Sequence, residues 1–348
     1  MEPALACNID CVMCPWPRFR GQMEDDGIMK PEIWNSLVPY LSDVKSVDFT
    51  GGGEPLMNHH LFAWLQQAKQ QGCQAGFLTN GQLLNQEMSQ DLISIGVDWV
   101  GFSIDGTNEA LYERIRRGAS FKELCQNIRL LARLRSSGNP SLVVNFVIMK
   151  QNVHQLEEMV DLAVELGVDQ LNFKQCDVIR YQHGHGMGLF SSEDTAETRQ
   201  YRKLLKRALK RARKMKLKTT VFSFVPDEQP VCDQNPGKSL FISYKGEVAP
   251  CINLAMGGPS EFMGADINFP TISYGNCLKE DLKDLWVSEG CRAYRSRFKE
   301  RIQVHDRVLA DSDFGSSLLS LRRAYAEAIK AMPDPPSGCR TCHYLYGI

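Results

Sequence analysis

From about Ser46 to Lys174 the chain alternates short apolar runs with amphipathic helical stretches, and that rhythm restricts it to very few folds. The runs Ser46–Thr50, Gln74–Thr79, Asp98–Ile104, Ser141–Met149 and Asp169–Lys174 read as strands, and Ala4–Ala6 reads as a short first strand. Helical patterns lie between them at Pro31–Leu41, His60–Gly72, Asn85–Gly96, Phe121–Arg135 and Val153–Gly167, with glycine stops at Gly72, Gly96 and Gly167. The stretches ISIGVDWVGFSID and AVELGVDQLNFKQ repeat one unit: a helix end, a Gly-Val-Asp turn and a buried strand. Such units build a parallel sheet with right-handed crossovers. The expected class is therefore α/β, a partial (β/α)6 TIM-like barrel that stays open instead of closing with eight strands.

Cysteine placement adds a second constraint. Of the 12 cysteines, Cys7, Cys11 and Cys14 lie in the first 14 residues, and six lie in the last 117: Cys232, Cys251, Cys277, Cys291, Cys339 and Cys342. Only Cys73, Cys125 and Cys176 fall between, as buried scaffold thiols do. A chain of 348 residues, 43% of them hydrophobic, has no need of disulfide staples. No charged-then-apolar export segment opens it and no run is long enough to span a bilayer, so the expected setting is cytoplasmic and the clustered thiols are expected to bind metal. A net charge of −1 argues against a dedicated nucleic-acid protein.

The run ACNIDCVMCP places three cysteines at offsets of four and three, on the loop after the first expected strand. In a parallel barrel, loops at the strands' C-terminal ends form the active face. Three thiolates hold three irons of a 4Fe–4S cubane and leave the fourth iron open to a substrate, whereas a structural zinc site closes with four ligands. A zinc site completed from elsewhere in the chain is the alternative.

With this spacing the chain resembles the radical SAM superfamily, whose hallmark is a C-x-x-x-C-x-x-C loop after the first barrel strand. The resemblance implies that the open iron of a 4Fe–4S cluster chelates S-adenosylmethionine (SAM), that an external one-electron reductant of flavodoxin or ferredoxin type supplies the electron, and that SAM is cleaved to a 5′-deoxyadenosyl radical that abstracts hydrogen from substrate. Met13 stands where the family often has an aromatic residue. In DFTGGGEPL, residues Gly52, Gly53, Glu54 and Pro55 match the segment that binds the SAM amino group. Ser103 and Asp105 of GFSIDG match positions near the SAM ribose and carboxylate. Arg116 of YERIRRG is a candidate for the SAM carboxylate. Asn145, a polar residue inside LVVNFVIMK, is a candidate for the ribose hydroxyls.

From about Val231 the texture changes to short strands rich in Pro, Gly and Cys. SLFISYKGEVAPC reads as a hairpin turning at Lys245–Gly246, and GGPSEFMGADINFPTISYGN reads as a long loop. Helical pieces are expected at Leu278–Ser288 and about Phe314–Ala331. Cys232 and Cys251 are separated by 13 residues, Gly246 and four more, and Cys339 and Cys342 form a C-x-x-C. Together they supply four thiolates. This layout resembles the SPASM/twitch domains and implies one saturated auxiliary 4Fe–4S cluster, with a zinc ribbon as the alternative. Cys277 and Cys291 are spare thiols or alternative ligands. The expected organisation is a radical SAM barrel over 1–180, a linker with a basic helix over 181–230, and an auxiliary-cluster domain over 231–348.

The basic helix, expected at about Glu193–Leu217, holds 11 basic residues in RQYRKLLKRALKRARKMKLK. It reads as an outer helix with a solvated face, or less readily as a docking site for an acidic partner. His183 and His185 in QHGHGMG read as part of a glycine-rich loop over the barrel mouth. The functional expectation is a radical SAM enzyme acting on a peptide or protein, by peptide modification or metalloenzyme maturation. The alternatives are a dehydrogenase or cyclase acting on a small molecule such as an aminosugar, and a metal-binding redox sensor.

Overall fold

Six parallel strands form the main sheet, in chain order: Ser46–Asp48, Gln74–Thr79, Trp99–Ser103, Ser141–Ile148, Gln170–Gln175 and Lys218–Val221. The structure, a computed structural model, describes residues 1–136, 138–176, 180, 186–189, 195–222, 224–312 and 317–347. His183 and His185 lie outside the described residues. The first and last strands do not pair, so the sheet is an open, partial barrel as the alternation implies.

Alternation along each strand sorts the two faces. Leu142, Val144, Phe146 and Ile148 are buried on one side, as are Leu171 and Phe173, and Phe146 meets Phe173 edge-on at 6.1 Å between ring centres. The helices Leu61–Gln70, Gln86–Ile95, Phe121–Leu134 and Leu156–Glu165 occupy the crossovers between strands. Their ends follow local chemistry. The Asn85 and Ser120 side chains accept from the Met88 and Glu123 backbone N–H groups, and Gly96 closes its helix at φ 75°.

The structure corrects the identity of the sixth strand. Ala4 makes only an isolated bridge to Ile28, and the place expected for Ala4–Ala6 in the sheet is not taken. The sixth strand is Lys218–Val221, inside the stretch read as linker, and it pairs with Gln170–Gln175. The basic helix, Ala196–Lys214, is the crossover into it. Leu205, Ala208 and Ala212 are buried, while Arg207 and Arg211 pair with Glu157 and Asp161 of the preceding crossover helix. A four-residue run holding only one large apolar residue, Val221, carries too weak a hydrophobic signal to read as a strand.

The C-terminal region is antiparallel. Phe241–Ile242 pairs with Glu247–Ala249 about the Lys245–Gly246 turn, with Gly246 at φ 83°. The stretch read as a long loop contains instead a hairpin, Gly258–Phe262 with Ala265–Phe269. Its two-residue turn puts both Met263 (φ 51°) and Gly264 (φ 82°) in the left-handed region, the I′ geometry. A methionine in place of the usual Asn hid the signal. The expected helical pieces are Leu282–Val287 and Leu318–Ala331, and between them runs a 23-residue helix, Glu289–Asp311. That helix is charged on most faces and buries only Cys291, Phe298, Arg301 and His305, so its period was faint. No helix among the described residues is long and apolar enough to cross a membrane.

Glu2 joins the two regions. Its carboxylate is fully buried and accepts from Gly52 N (2.9 Å) in the barrel and from Tyr244 N (3.2 Å) in the C-terminal hairpin. Burial pushes its pKa up to about 7, against the two hydrogen bonds that pull it down.

Candidate functional site

The three-cysteine loop is held from both sides by backbone. Asp10 and Cys11 pair antiparallel with Arg117 and Arg116, and Val12 N donates to Ile115 O at 2.9 Å. Cys14 N turns back to Cys11 O at 3.1 Å. Upstream, Gly53 N donates to Ala4 O (3.1 Å) and Glu54 N to Ala6 O (2.8 Å). The segment leading to Cys7 is thus bonded to the glycine loop, although it is no sheet strand. A Cβ on Gly53 would lie 2.1 Å from the Ala6 carbonyl oxygen, and one on Gly51 would strike Glu2. The glycines are required here for backbone approach within the protein itself.

All three thiols are half-buried. Burial pushes the Cys7 thiol up and Cys11 up to about 12, and the Cys14 sulfur adds to both shifts. N–H groups oppose this. Arg20 Nη2 lies 3.4 Å from Cys14 Sγ, Arg116 Nη1 3.5 Å from Cys11 Sγ, and Asn80 Nδ2 3.9 Å from Cys7 Sγ. Cations and amides aimed at sulfur favour the thiolate that a metal cluster requires. Arg20 also donates to Leu5 O (3.0 Å) and Gly52 O (2.7 Å), tying the cysteine loop to the glycine loop. Arg20 and Asn80 were not singled out in the sequence, where WPRFRG and LTNG carry no motif signal.

Three of the other candidate residues are bonded within the protein. Glu54 is buried, with one oxygen accepting from Thr79 Oγ1 (2.6 Å) and Leu56 N (3.1 Å) and the other from Asn80 N (2.7 Å). Asp105 is fully buried and accepts from Val147 N (2.7 Å) and Arg116 Nε (2.7 Å). Arg116 forms a buried ion pair with it at 2.6 Å. Glu54, Asp105 and Arg116 thus each have protein partners. Asn145 and Ser103 stand opposite one another in the register, next to Asn172 and Thr220. Asn145 Oδ1 accepts from Asn172 Nδ2 at 2.9 Å. This polar row runs along the inner side of the sheet, opposite the apolar residues that meet the helices. Met13 packs with Met149, Met187 and Cys176 beside Leu111 and Ile115, as a soft apolar wall at the mouth.

The four cysteines of the second set, Cys232, Cys251, Cys339 and Cys342, lie around one cavity, walled by Leu254, Phe269 and Leu345. Cys251 and Cys339 are buried and the other two half-buried. Burial pushes Cys251 up to about 12 and Cys339 higher still, and Cys339 feels the other three sulfurs. Asn253 lines the same cavity with its Oδ1 buried and without a partner among the described residues. Cys277 and Cys291 are buried and do not line the cavity. Arg301 braces both cysteine arms. Its guanidinium donates to Pro230 O, Gln229 O and Glu228 before Cys232, and to Pro333 O before Cys339. Among the described residues no three His, Cys, Asp or Glu side chains converge as they would around a single ion. A cubane takes one thiolate per iron and so spreads its ligands further apart.

A half-barrel with three thiols at its mouth, followed by a four-thiol domain, defines an iron–sulfur enzyme of the SAM-cleaving kind. Comparisons with known proteins agree: the family profile described as the radical SAM superfamily matches residues 1–163, and that described as the SPASM iron–sulfur cluster-binding domain matches 232–306. The chain thus carries a radical SAM domain followed by a SPASM iron–sulfur domain, an enzyme architecture whose cofactors are SAM, a SAM-binding 4Fe–4S cluster and an auxiliary iron–sulfur cluster. It is 28% identical over 300 residues to the tungsten-containing aldehyde ferredoxin oxidoreductase cofactor-modifying protein of Pyrococcus furiosus, covering 83% of this chain and 80% of that one. It is 23% identical over 297 residues to the PqqA peptide cyclase of Rhizobium meliloti, covering 83% and 73%. Among solved structures, anSMEcpe with bound AdoMet superposes with a TM-score of 0.65 at 16% identity, covering 95% of this chain and 94% of that one. SuiB of Streptococcus suis gives 0.62 at 16%, covering 85% and 66%.

Proposed function

We propose that the chain modifies a peptide or protein substrate, with Cys7, Cys11 and Cys14 holding the SAM-binding cluster and Cys232, Cys251, Cys339 and Cys342 holding the auxiliary one. Three thiols at the barrel mouth, with arginine or amide N–H groups on each sulfur, carry this reading. When bound, the cluster and SAM supply one-electron reductive cleavage to a 5′-deoxyadenosyl radical, which removes hydrogen from substrate. The chain's own residues do the rest. Arg20, Arg116 and Asn80 favour three thiolates, and Arg116 is aimed at Cys11 by Asp105. Glu54 and Pro55 shape the turn after Gly52 and Gly53, leaving that loop's backbone, not the Glu54 carboxylate, to meet the SAM ammonium. Ser103 and Asn145 lie on the inner row, where ribose hydroxyls find donors and acceptors. The Met13, Met149 and Met187 wall excludes water from the reacting atoms.

Peptide chemistry is supported by the PqqA peptide cyclase relative and by the SuiB structure with its precursor peptide SuiA. The tungsten-enzyme cofactor-modifying relative, similar over most of both chains, favours a second form of the same reading, in which the peptide belongs to a metalloenzyme being matured. An external flavodoxin or ferredoxin type donor supplies the electron. The test is anaerobic incubation of the iron-reconstituted protein with SAM and dithionite, reading 5′-deoxyadenosine by chromatography. Formation above a no-protein background is expected, and its absence overturns the reading. Addition of a candidate substrate, a short peptide or a metalloenzyme, is expected to change the mass of that partner.

A further inference from the structure

Arg180 is buried between the two cysteine sites. Its guanidinium carbon lies 5.2 Å from the Trp16 ring centre, 5.3 Å from Phe19 and 5.4 Å from Phe269, and Nη1 donates to Gly257 O. Trp16 and Phe19 directly follow Cys14 in the chain, and the Trp16 ring also flanks Gly52. Phe269 is a wall of the four-thiol cavity, so the guanidinium stacks on the outside of that wall. An arginine boxed by three aromatic rings in a dry junction keeps its charge while losing the water that would screen it. Nothing in the assigned activity uses this residue.

We infer that Arg180, clamped by Trp16, Phe19 and Phe269, is a positioning residue that sets the reduction potential of the auxiliary cluster and locks that domain onto the SAM-cluster loop. This rests on the proposed reading of the four-thiol cavity. A fixed positive charge beside a centre that gains one negative charge on reduction favours the reduced state, so it raises the potential. Placing that charge on rings that belong to the first cluster's own loop couples the two sites: movement of Trp16 moves the charge.

The test uses the full-length protein with Cys7, Cys11 and Cys14 all replaced by Ala, so that the auxiliary cluster is read alone by iron assay and EPR-monitored redox titration. About four irons per chain are expected in this background. Arg180→Gln is expected to shift the oxidised-to-reduced ratio at a fixed solution potential about tenfold toward oxidised, ~59 mV for one electron. Arg180→Lys should recover most of it, and Trp16→Leu, which keeps the charge but admits water, should move it the same way by less. An unchanged ratio in Arg180→Gln at full iron content overturns the inference and leaves the cavity reading standing. Equal loss of iron from both Arg180 variants makes the residue a packing element and also overturns it. A background protein that takes up no iron overturns the cavity reading itself.

Discussion

Three thiols of the N-terminal loop stay half-exposed and are contacted by N–H groups of Arg20, Arg116 and Asn80, whereas the four C-terminal thiols, Cys251 and Cys339 buried and Cys232 and Cys342 half-buried, line a cavity walled by Leu254, Phe269 and Leu345. The first site is held by backbone pairing at Cys11 and by the glycine loop. The second is held by apolar walls and by one buried arginine, Arg301, that braces both arms. Open coordination needs polar side chains to stabilise charge where water still reaches. A saturated cluster needs only enough ligands and a dry shell. On the proposed function, this difference fits bond breaking at the mouth and an electron-handling or substrate-positioning part at the second site.

The sharpest way to break that comparison is to remove one thiol from each site. Cys11→Ala should abolish 5′-deoxyadenosine formation, while Cys339→Ala should spare slow uncoupled SAM cleavage and lose only partner modification. Each should lower iron content from about eight to about four per chain. Normal product from both variants would show that the two sites are misassigned. Asp105→Asn comes next. It leaves Arg116 charged and buried without its carboxylate, which costs about 3–5 kcal/mol, measured by denaturant unfolding of the apo protein. The iron lost with it should be that of the first site.

Gly53→Ala should have a smaller effect. Its Cβ lies 2.1 Å from the Ala6 carbonyl oxygen, so the Ala4–Ala6 segment must move, at about 1–3 kcal/mol. The first site should load poorly while the second fills as before. Last comes the effect of pH through Glu2, whose burial raises its pKa to about 7 from the ordinary 4.5. The folded state binds the extra proton between these values, so Glu2 stabilises the fold at the acid end and that stability is lost as pH rises through about 7, by at most about 3 kcal/mol. Thermal melts of the apo protein across this window, with Glu2→Gln as the control, read the slope. The glutamine variant should flatten it.

Short-range pattern carried the strand–helix alternation, the three-cysteine loop and the C-terminal C-x-x-C, because periodicity and ligand spacing are written within a few neighbouring residues. It did not carry the sixth strand at Lys218–Val221, whose four residues signal nothing until the Gln170–Gln175 edge is there to pair with. Nor did it carry the partners of Glu54, Asp105 and Arg116. Their residue types do not name an internal partner, and which one each takes follows from burial, because a desolvated charge must be satisfied by whatever lies within reach. The gathering of Cys232 and Cys251 with Cys339 and Cys342, and the placing of Arg180 between the two sites, are likewise tertiary facts. The residues were legible one at a time; their distances from one another came from the packing of a core that brings remote segments together.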